Sequence, residues 1–573
     1  MNIRYNVFSW KLPSLYSTVS IMKKGSDRMK LIQPGIEDFK ELIDINAYYM
    51  DKTSFIEEVL KEKVVIYTRP RRFGKTLNMS MLYYFFSNKE KENAYLFDGL
   101  NISHNEEAMK HQNQYPVIFL SLKEMVNLSF DRQIASFSNI IYELLDNLIE
   151  LLESDQLTDV TKKKLNSLHK ETASIEDLST SLRIISQAMY THYHQKVIII
   201  IDEYDVPLQS AYQNDYYDEM VDFLRSIFSS SLKTNNALEK GIMTGCLRIS
   251  KESIFTGLNN FKSYSILYKT REEFFGFTEK EVQQLLADYH MSQNMNEVKE
   301  WYDGYLFGNH EVYNPWSTLM YVGSKMDSPN NKPQSYWANT SSNNIVMKYI
   351  QAGDRGLRKE FEQLMNGQSI VKDIKSELTY REMDDINNIY SFLLLTGYLK
   401  AIKDLGDHQY ELVIPNKEVY EIYKQSFMSY FTDYAGSRKN ELYLELVNGD
   451  ARKVNLLLND ILIRSISYFD NQESFYHGFL VGLLNGYEVI SNREAGDGRF
   501  DLCVMPETIL GTVILIECKH SIRQDCLIED AEAGARQITD RNYLEEKRFK
   551  IYAHTVGYGI SFYKKQCYVV KTE

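Results

Sequence analysis

Val64-Val65-Ile66-Tyr67-Thr68 runs directly into Arg69-Pro70-Arg71-Arg72-Phe73-Gly74-Lys75-Thr76, and Leu77-Asn78-Met79-Ser80-Met81-Leu82 continues beyond it. The β-branched run reads as a strand, the middle as a loop and the last stretch as a helix. A helix N-terminus turns backbone N–H groups and the positive end of its dipole towards an anion, so this order suits a phosphate. The loop Arg72-Phe73-Gly74-Lys75-Thr76 is therefore expected to hold ATP. Lys75 would reach the β- and γ-phosphates, and the Thr76 hydroxyl would bind Mg²⁺. The full phosphate-loop pattern has two glycines five residues apart, and Arg69 stands where the first belongs.

Gly74-Lys75-Thr76 alone is a weak signal, but a downstream partner strengthens it. Val197-Ile198-Ile199-Ile200-Ile201 has no polar alternation and ends in Asp202-Glu203. Such a run reads as a strand buried on both faces, and an acid at its C-terminal end sits where open α/β sheets bind ligands. Asp202 is expected to hold Mg²⁺ and Glu203 to orient the attacking water. Gly241–Gly245 is a further strand candidate, with Thr244 placed to sense the γ-phosphate. Arg248 either supplies positive charge to the transition state or forms a surface salt bridge, and its position leaves both open. The bland alternative is a buried strand ending in surface acids, beside a loop that only looks like a phosphate loop.

Other segments fit the same frame. Val117–Leu122 reads as a strand, residues 125–195 as amphipathic helices and Met220–Phe228 as a helix, giving a doubly wound parallel α/β sheet. Asp51 or Thr53 is placed to cap a helix over 54–62, and Thr278 with Glu281 forms a capping box. The apolar helix 389–398 followed by a hairpin fits either a winged helix or a plain core helix.

At 573 residues the chain calls for two to four domains, and 44% hydrophobic with 25% charged residues is ordinary globular composition. A net charge of -13 excludes a wholly basic nucleic-acid coat, so any nucleic-acid contact must be a local patch. The five cysteines form no CxxC pair, which argues against a disulfide scaffold or zinc site and fits a reducing cytoplasm. No apolar stretch reaches the length of a membrane span, and Lys11, Pro13 and several serines interrupt any secretory signal.

Near the C-terminus, Gly496-Asp497-Gly498 marks a tight turn from which a strand rises and presents Asp501. Val513–Ile516 reads as a buried strand, and alternation puts Glu517 and Lys519 on one face with Cys518 on the other. Two carboxylates gathered beside an ammonium are costly unless a metal sits between them. Asp501, Glu517 and the Cys518 carbonyl would bind Mg²⁺, and Lys519 would position or help deprotonate the attacking water. Glu473, on the preceding helix, offers a further metal ligand, and Gln537 a contact to the scissile phosphate or water. His477 is expected to pack against the site. Fifteen residues separate Asp501 from Glu517, and the arrangement resembles the PD-(D/E)xK pattern. A surface salt-bridge cluster, or a nuclease fold that has lost activity, is the alternative.

Asp51-Lys52-Thr53, the Arg69–Thr76 loop, Thr244-Gly245, Trp301-Tyr302-Asp303-Gly304-Tyr305 and Tyr313-Asn314-Pro315-Trp316 together resemble the bacterial AAA-ATPase-like family. The resemblance runs over most of residues 30–573, and that family's loop shares the departure at Arg69. Its members typically carry a C-terminal PD-(D/E)xK nuclease-superfamily domain. The expected architecture is an extension over 1–28, a P-loop AAA-like ATPase domain over 29–270, a helical lid and winged-helix-like middle region over 271–435, and a restriction-endonuclease-like α/β domain over 436–573.

The leading expectation is a cytoplasmic ATPase coupled in cis to a Mg²⁺-dependent nuclease, with nucleic acid as partner (DNA ahead of RNA), no membrane contact, and a homo-oligomer left open. The alternative is a nucleotide-switched regulatory or binding protein whose nuclease-like domain is silent. A small-molecule P-loop kinase ranks third, because it leaves the C-terminal cluster unexplained.

Overall fold

The computed structural model describes residues 29–248, 254–255, 261–269, 273–337, 355–385, 388–465, 473–484, 487–495 and 498–572. The expected extension 1–28 and the turn residues Gly496 and Asp497 lie outside them.

Five parallel strands form the first sheet: β1 (Val64–Thr68), β2 (Val117–Ser121), β3 (Val197–Asp202), β4 (Leu238–Gly245) and β5 (Lys262–Tyr264), in spatial order β2-β3-β4-β1-β5. β3 is buried along its whole length, as its unbroken apolar run requires. The helix after the loop, α1 (Lys75–Phe86), packs under the sheet, and helices Phe130–Asp146, Ser181–Tyr193 and Tyr217–Phe228 add the remaining cover. Because β4 lies between β3 and β1, the acid ending β3 meets the phosphate loop across the end of β4. Helix Phe55–Leu60 starts from Ser54 without a side-chain cap; Asp51 instead accepts from Thr53 and from the Asn101 amide.

The middle region is built onto this sheet rather than beside it. α2 (Glu279–Asp288) opens with the expected capping box between Thr278 and Glu281. A short hairpin, β6 (Tyr305–Phe307) and β7 (His310–Val312), precedes α3 (Pro315–Asp327), which Asn314 caps through the Ser317 amide at 3.2 Å. Next come α4 (Arg355–Met365), β8 (Ile370–Asp373), α5 (Ile389–Leu395) and the hairpin β9 (Lys400–Gly406)–β10 (Gln409–Val413), with the three strands in order β8-β10-β9. In chain order these are a helix, a strand, a helix and a hairpin. All seven residues of α5 are buried, so it is a core helix with no face left for a DNA groove. One hydrophobic core runs from Phe39 in the first region to Tyr423.

The helix α6 (Lys417–Asn448) has 32 residues, a rod of about 48 Å. Leu442 and Leu446 near its far end belong to the core of the last unit. There α7 (Glu473–Leu483) precedes five strands in sequential order: β11 (Glu488–Ala495), β12 (Gly498–Met505), β13 (Thr512–His520), β14 (His554–Tyr563) and β15 (Gln566–Lys571). Only β13 and β14 pair in parallel, and α8 (Leu527–Asp540) makes the crossover between them. Among the described residues no helix is long and apolar enough to cross a membrane.

Candidate functional site

Two clusters of chemically active side chains stand at the strand ends of the two large sheets. In the first, Gly74 takes φ 77°, a conformation open to glycine, and starts α1 so that its first amides face the loop. Lys75 is buried and donates to the Arg69 and Pro70 carbonyls at 3.2 and 3.1 Å. Burial disfavours its charge, but Cys246, Glu203, Asp202 and Asp205 outweigh that and leave its pKa raised. Thr76 Oγ1 donates to Asp202 Oδ2 at 2.7 Å, and Thr244 Oγ1 donates to Asp202 Oδ1. Burial pushes the Asp202 pKa up against these two hydroxyl bonds. A hydroxyl and a carboxylate are hard oxygen donors of the kind Mg²⁺ takes.

A cavity of about 330 Å³ opens over this loop. Arg72, Phe73, Gly74, Lys75, Thr76 and Glu203 line it; Asp202 and Thr244 are buried and do not. Its far wall is apolar and comes from Tyr49, Met50, Phe277, Trp316 and Leu319. Arg72 lies 4.2 Å over the Trp316 ring, joining the loop to α3. Lys52 also lines the cavity, held by both Glu281 oxygens at 2.6 and 2.7 Å and by the Glu273 carbonyl. Arg248 is turned elsewhere: its Nη2 lies 2.5 Å from Glu377 in the middle region, and it does not line the cavity.

Arg69 departs from the glycine pattern for a visible reason. Its side chain is fully buried, with Nη1 donating to the Thr68 and Tyr264 carbonyls at 2.9 and 2.7 Å. The guanidinium lies 5.1 and 5.3 Å from the Phe275 and Phe307 ring centres. Phe73 packs against Tyr305 and Phe307. The loop is thus a joint to the β6–β7 hairpin. Sequence reasoning missed Arg71, Lys52 and Trp316 as cavity residues; the Lys52 and Trp316 motifs were visible, but not where they reach.

The second cluster forms where β12, β13 and α8 converge. Asp501 Oδ2 accepts from the Cys518 amide at 2.8 Å, which pins the ends of β12 and β13 together. Glu517 is buried, and its Oε1 receives Lys519 Nζ at 3.2 Å and the Gln537 amide. Lys519 Nζ also donates to Gln537 Oε1 at 2.8 Å. Asp501, Glu517, Lys519 and Gln537 therefore meet as the alternation of β13 requires. Burial, then the Asp501 charge, pushes Glu517 up to about 7, and its Oε2 has no hydrogen-bond partner. An orphaned, buried carboxylate oxygen beside a second carboxylate fits a divalent cation. Among the described residues no third His, Cys, Asp or Glu joins the pair. The Glu473 side chain lies outside the described residues. His477 Nε2 sits 3.0 Å from the Asp501 carbonyl, packed against the site.

Residues 33–255 match the family model described as "Predicted AAA-ATPase", and residues 471–572 match that of the PD-(D/E)XK nuclease superfamily. A relative from Azotobacter chroococcum mcd 1, described as an uncharacterized protein in the vnfD 5′ region, is 23% identical over 538 residues, covering 91% of this chain and 94% of the relative.

Proposed function

We propose that this chain, which joins an AAA-ATPase-like region to a region of the PD-(D/E)XK nuclease superfamily, hydrolyses ATP at the Lys75–Thr76 loop and cleaves nucleic-acid phosphodiester bonds at the Asp501–Glu517–Lys519 cluster. The observation that carries the second activity is the buried Glu517 Oε2, which has no hydrogen-bond partner on a side chain that feels the Asp501 charge. A relic that only binds has no reason to keep such a costly group.

Thr76 and Asp202 would hold Mg²⁺ at the nucleotide, with Glu203 orienting the attacking water. Asp501, Glu517 and the Cys518 carbonyl would hold it in the last unit, with Glu473 as a further ligand. When bound, the cation there stabilises charge developing on the phosphate. The chain's own groups do the rest. Gln537 holds Lys519 Nζ, and Lys519 orients the water and takes up or releases its proton. Asp501 locks β12 to β13, so that the carboxylates converge. DNA, ahead of RNA, is the partner, reached through a local patch given the net charge of -13. A reducing cytoplasm is supported by five cysteines, all unpaired.

The test is incubation of the purified protein with supercoiled plasmid and with single-stranded DNA in Mg²⁺, with and without ATP, beside Glu517→Ala and Lys75→Ala. Cleavage lost in Glu517→Ala, and ATP turnover lost in Lys75→Ala, are the expected results. Intact DNA in every lane with ATP still consumed would favour the nucleotide-switched regulatory reading.

A further inference from the structure

The phosphate loop carries two consecutive arginines that its anion-binding backbone does not need. Five cations line the cavity: Lys52, Arg71, Arg72, Lys75 and Lys123. Three already have assigned places. Lys52 is clamped by Glu281, Lys123 is paired with Glu37 at 2.6 Å, and Lys75 is the loop lysine. Arg72 is drawn to the lid side, over Trp316.

Arg71 is different. Among the described residues it forms no ion pair, and its Nη2 donates to a neutral acceptor, Gln209 Oε1, at 3.0 Å. Gln209 lies on helix Val206–Gln213, which follows β3, so Arg71 leans towards the strand end that carries Asp202 and Glu203. Arg71 and Lys75 also share their electrostatic surroundings, namely Cys246, Asp205 and Glu203. Two cations drawn into one half-buried loop, one hydrogen-bonded to carbonyls and the other to an amide oxygen, form a hole for a multiply charged anion. Arg248, the other arginine available on this side, is engaged with Glu377.

Building on the ATPase reading, we propose that Arg71 binds the γ-phosphoryl oxygens and offsets the charge they gain during hydrolysis, so that one chain completes its own site without an arginine from a neighbour. In that step the water oxygen forms a new bond to the γ-phosphorus. The bond from that phosphorus to the β–γ bridging oxygen breaks, and its electron pair leaves with ADP. The water's proton passes by way of Glu203 to the phosphate product. Arg71 gains or loses no proton; it contributes charge and geometry, which a planar guanidinium supplies bidentately.

The experiment measures steady-state ATP hydrolysis, and binding of a fluorescent ATP analogue, for the full chain and for Arg71→Ala, Arg71→Lys and Arg71→Gln. Each is also mixed with Lys75→Ala over a range of concentrations. Arg71→Ala is expected to lower kcat by about 10²- to 10³-fold, the cost of losing one preorganised donor to a developing oxyanion, while analogue binding weakens far less, and Arg71→Lys to recover part of the loss. The mixture should do no better than the sum of its two components, and wild-type turnover per chain should not change with concentration. Turnover of Arg71→Ala or Arg71→Gln near that of wild type overturns the proposal, as does activity restored by mixing. Wild type that turns over no ATP overturns the ATPase reading and this proposal together. Wild-type turnover beside an active Arg71 variant overturns this proposal alone.

Discussion

Ser317 Oγ donates to Glu418 Oε1 at 2.8 Å, joining the first turn of α3 to the first turn of α6. Ser317 follows Trp316, which lines the cavity over the Lys75 loop, and α6 ends with Leu442 and Leu446 in the core of the nuclease-like unit. Glu418 has 0% exposure, also accepts from the Trp337 amide at 2.8 Å, and is pushed by burial from 4.5 up to about 7. Its folded pKa lies above its unfolded value, so the folded state binds more protons between those limits. Any cost of its charge is absent below about pH 4.5 and complete above about pH 7, and stability falls as pH rises through that window. Glu418→Gln removes the titration. Urea unfolding should show wild type losing on the order of 3 kcal/mol relative to Glu418→Gln between pH 4.5 and 8. Parallel stability curves would refute the assignment.

The same bond gives a prediction about coupling. Ser317→Ala removes one hydrogen bond at a cost of about 1 kcal/mol, and neither Ser317 nor Glu418 lines the cavity. ATP turnover should stay within about twofold of wild type, while the ATP-dependent change in DNA cleavage shrinks. An unchanged ratio of cleavage with and without ATP would remove α6 from the coupling route.

Glu517→Gln keeps the bulk and one oxygen acceptor of Glu517 but removes the charge that a divalent cation needs. In the absence of nucleotide, Mg²⁺ should raise the Tm of wild type and leave that of Glu517→Gln unmoved, because a ligand that binds only the folded state stabilises it. Cleavage should fall by at least about 10²-fold. The Mg²⁺-induced Tm shift persisting in Glu517→Gln would place the metal elsewhere.

Arg69→Gly writes the missing glycine of the phosphate-loop pattern back into the chain, and pattern alone says this improves the loop. The structure says the opposite. Glycine deletes the guanidinium between Phe275 and Phe307 and its bonds to the Thr68 and Tyr264 carbonyls. Thermal unfolding should show a loss on the order of 2–4 kcal/mol, with weaker nucleotide binding, since buried hydrogen-bond acceptors are left bare. A variant as stable as wild type would mean that the joint to β6–β7 contributes nothing.

The parts of the fold visible in the sequence were those that local pattern dictates. Val197–Ile201 announced a buried strand by lacking any polar residue, Thr278 with Glu281 announced a helix start, and alternation along β13 put Glu517 with Lys519. What escaped was whatever depends on a distant partner. β5 is three residues of a polar segment, made a strand only by pairing with β1. Arg248 gave no local sign of Glu377, and nothing around Trp316 said that its ring would receive Arg72. The helix over 389–395 and the hairpin after it were legible; that the helix is buried on every side is a property of the assembled core.

The nuclease-like site rests on how closely α8 approaches the sheet, which gives the last prediction. A Cβ at Gly559 would lie 2.1 Å from the Ala531 carbonyl oxygen and 2.3 Å from the Ala535 amide, both backbone atoms of α8 that have no rotamer to change. Gly559→Ala must therefore lift α8 away from β14. That helix carries Gln537, which holds both Glu517 and Lys519, so even a shift of about 1 Å there breaks the cluster. Overpacking of this kind costs about 1–3 kcal/mol, a fraction of a domain's stability, so the chain should still fold. Cleavage should fall by at least about tenfold while ATP turnover, in a separate core, holds. At Gly534, on α8 itself, a Cβ would meet the Gly559 Cα at 3.2 Å, and Gly534→Ala should be the milder of the two. Equal cleavage by wild type and Gly559→Ala would mean that Gln537 is not needed where the helix holds it.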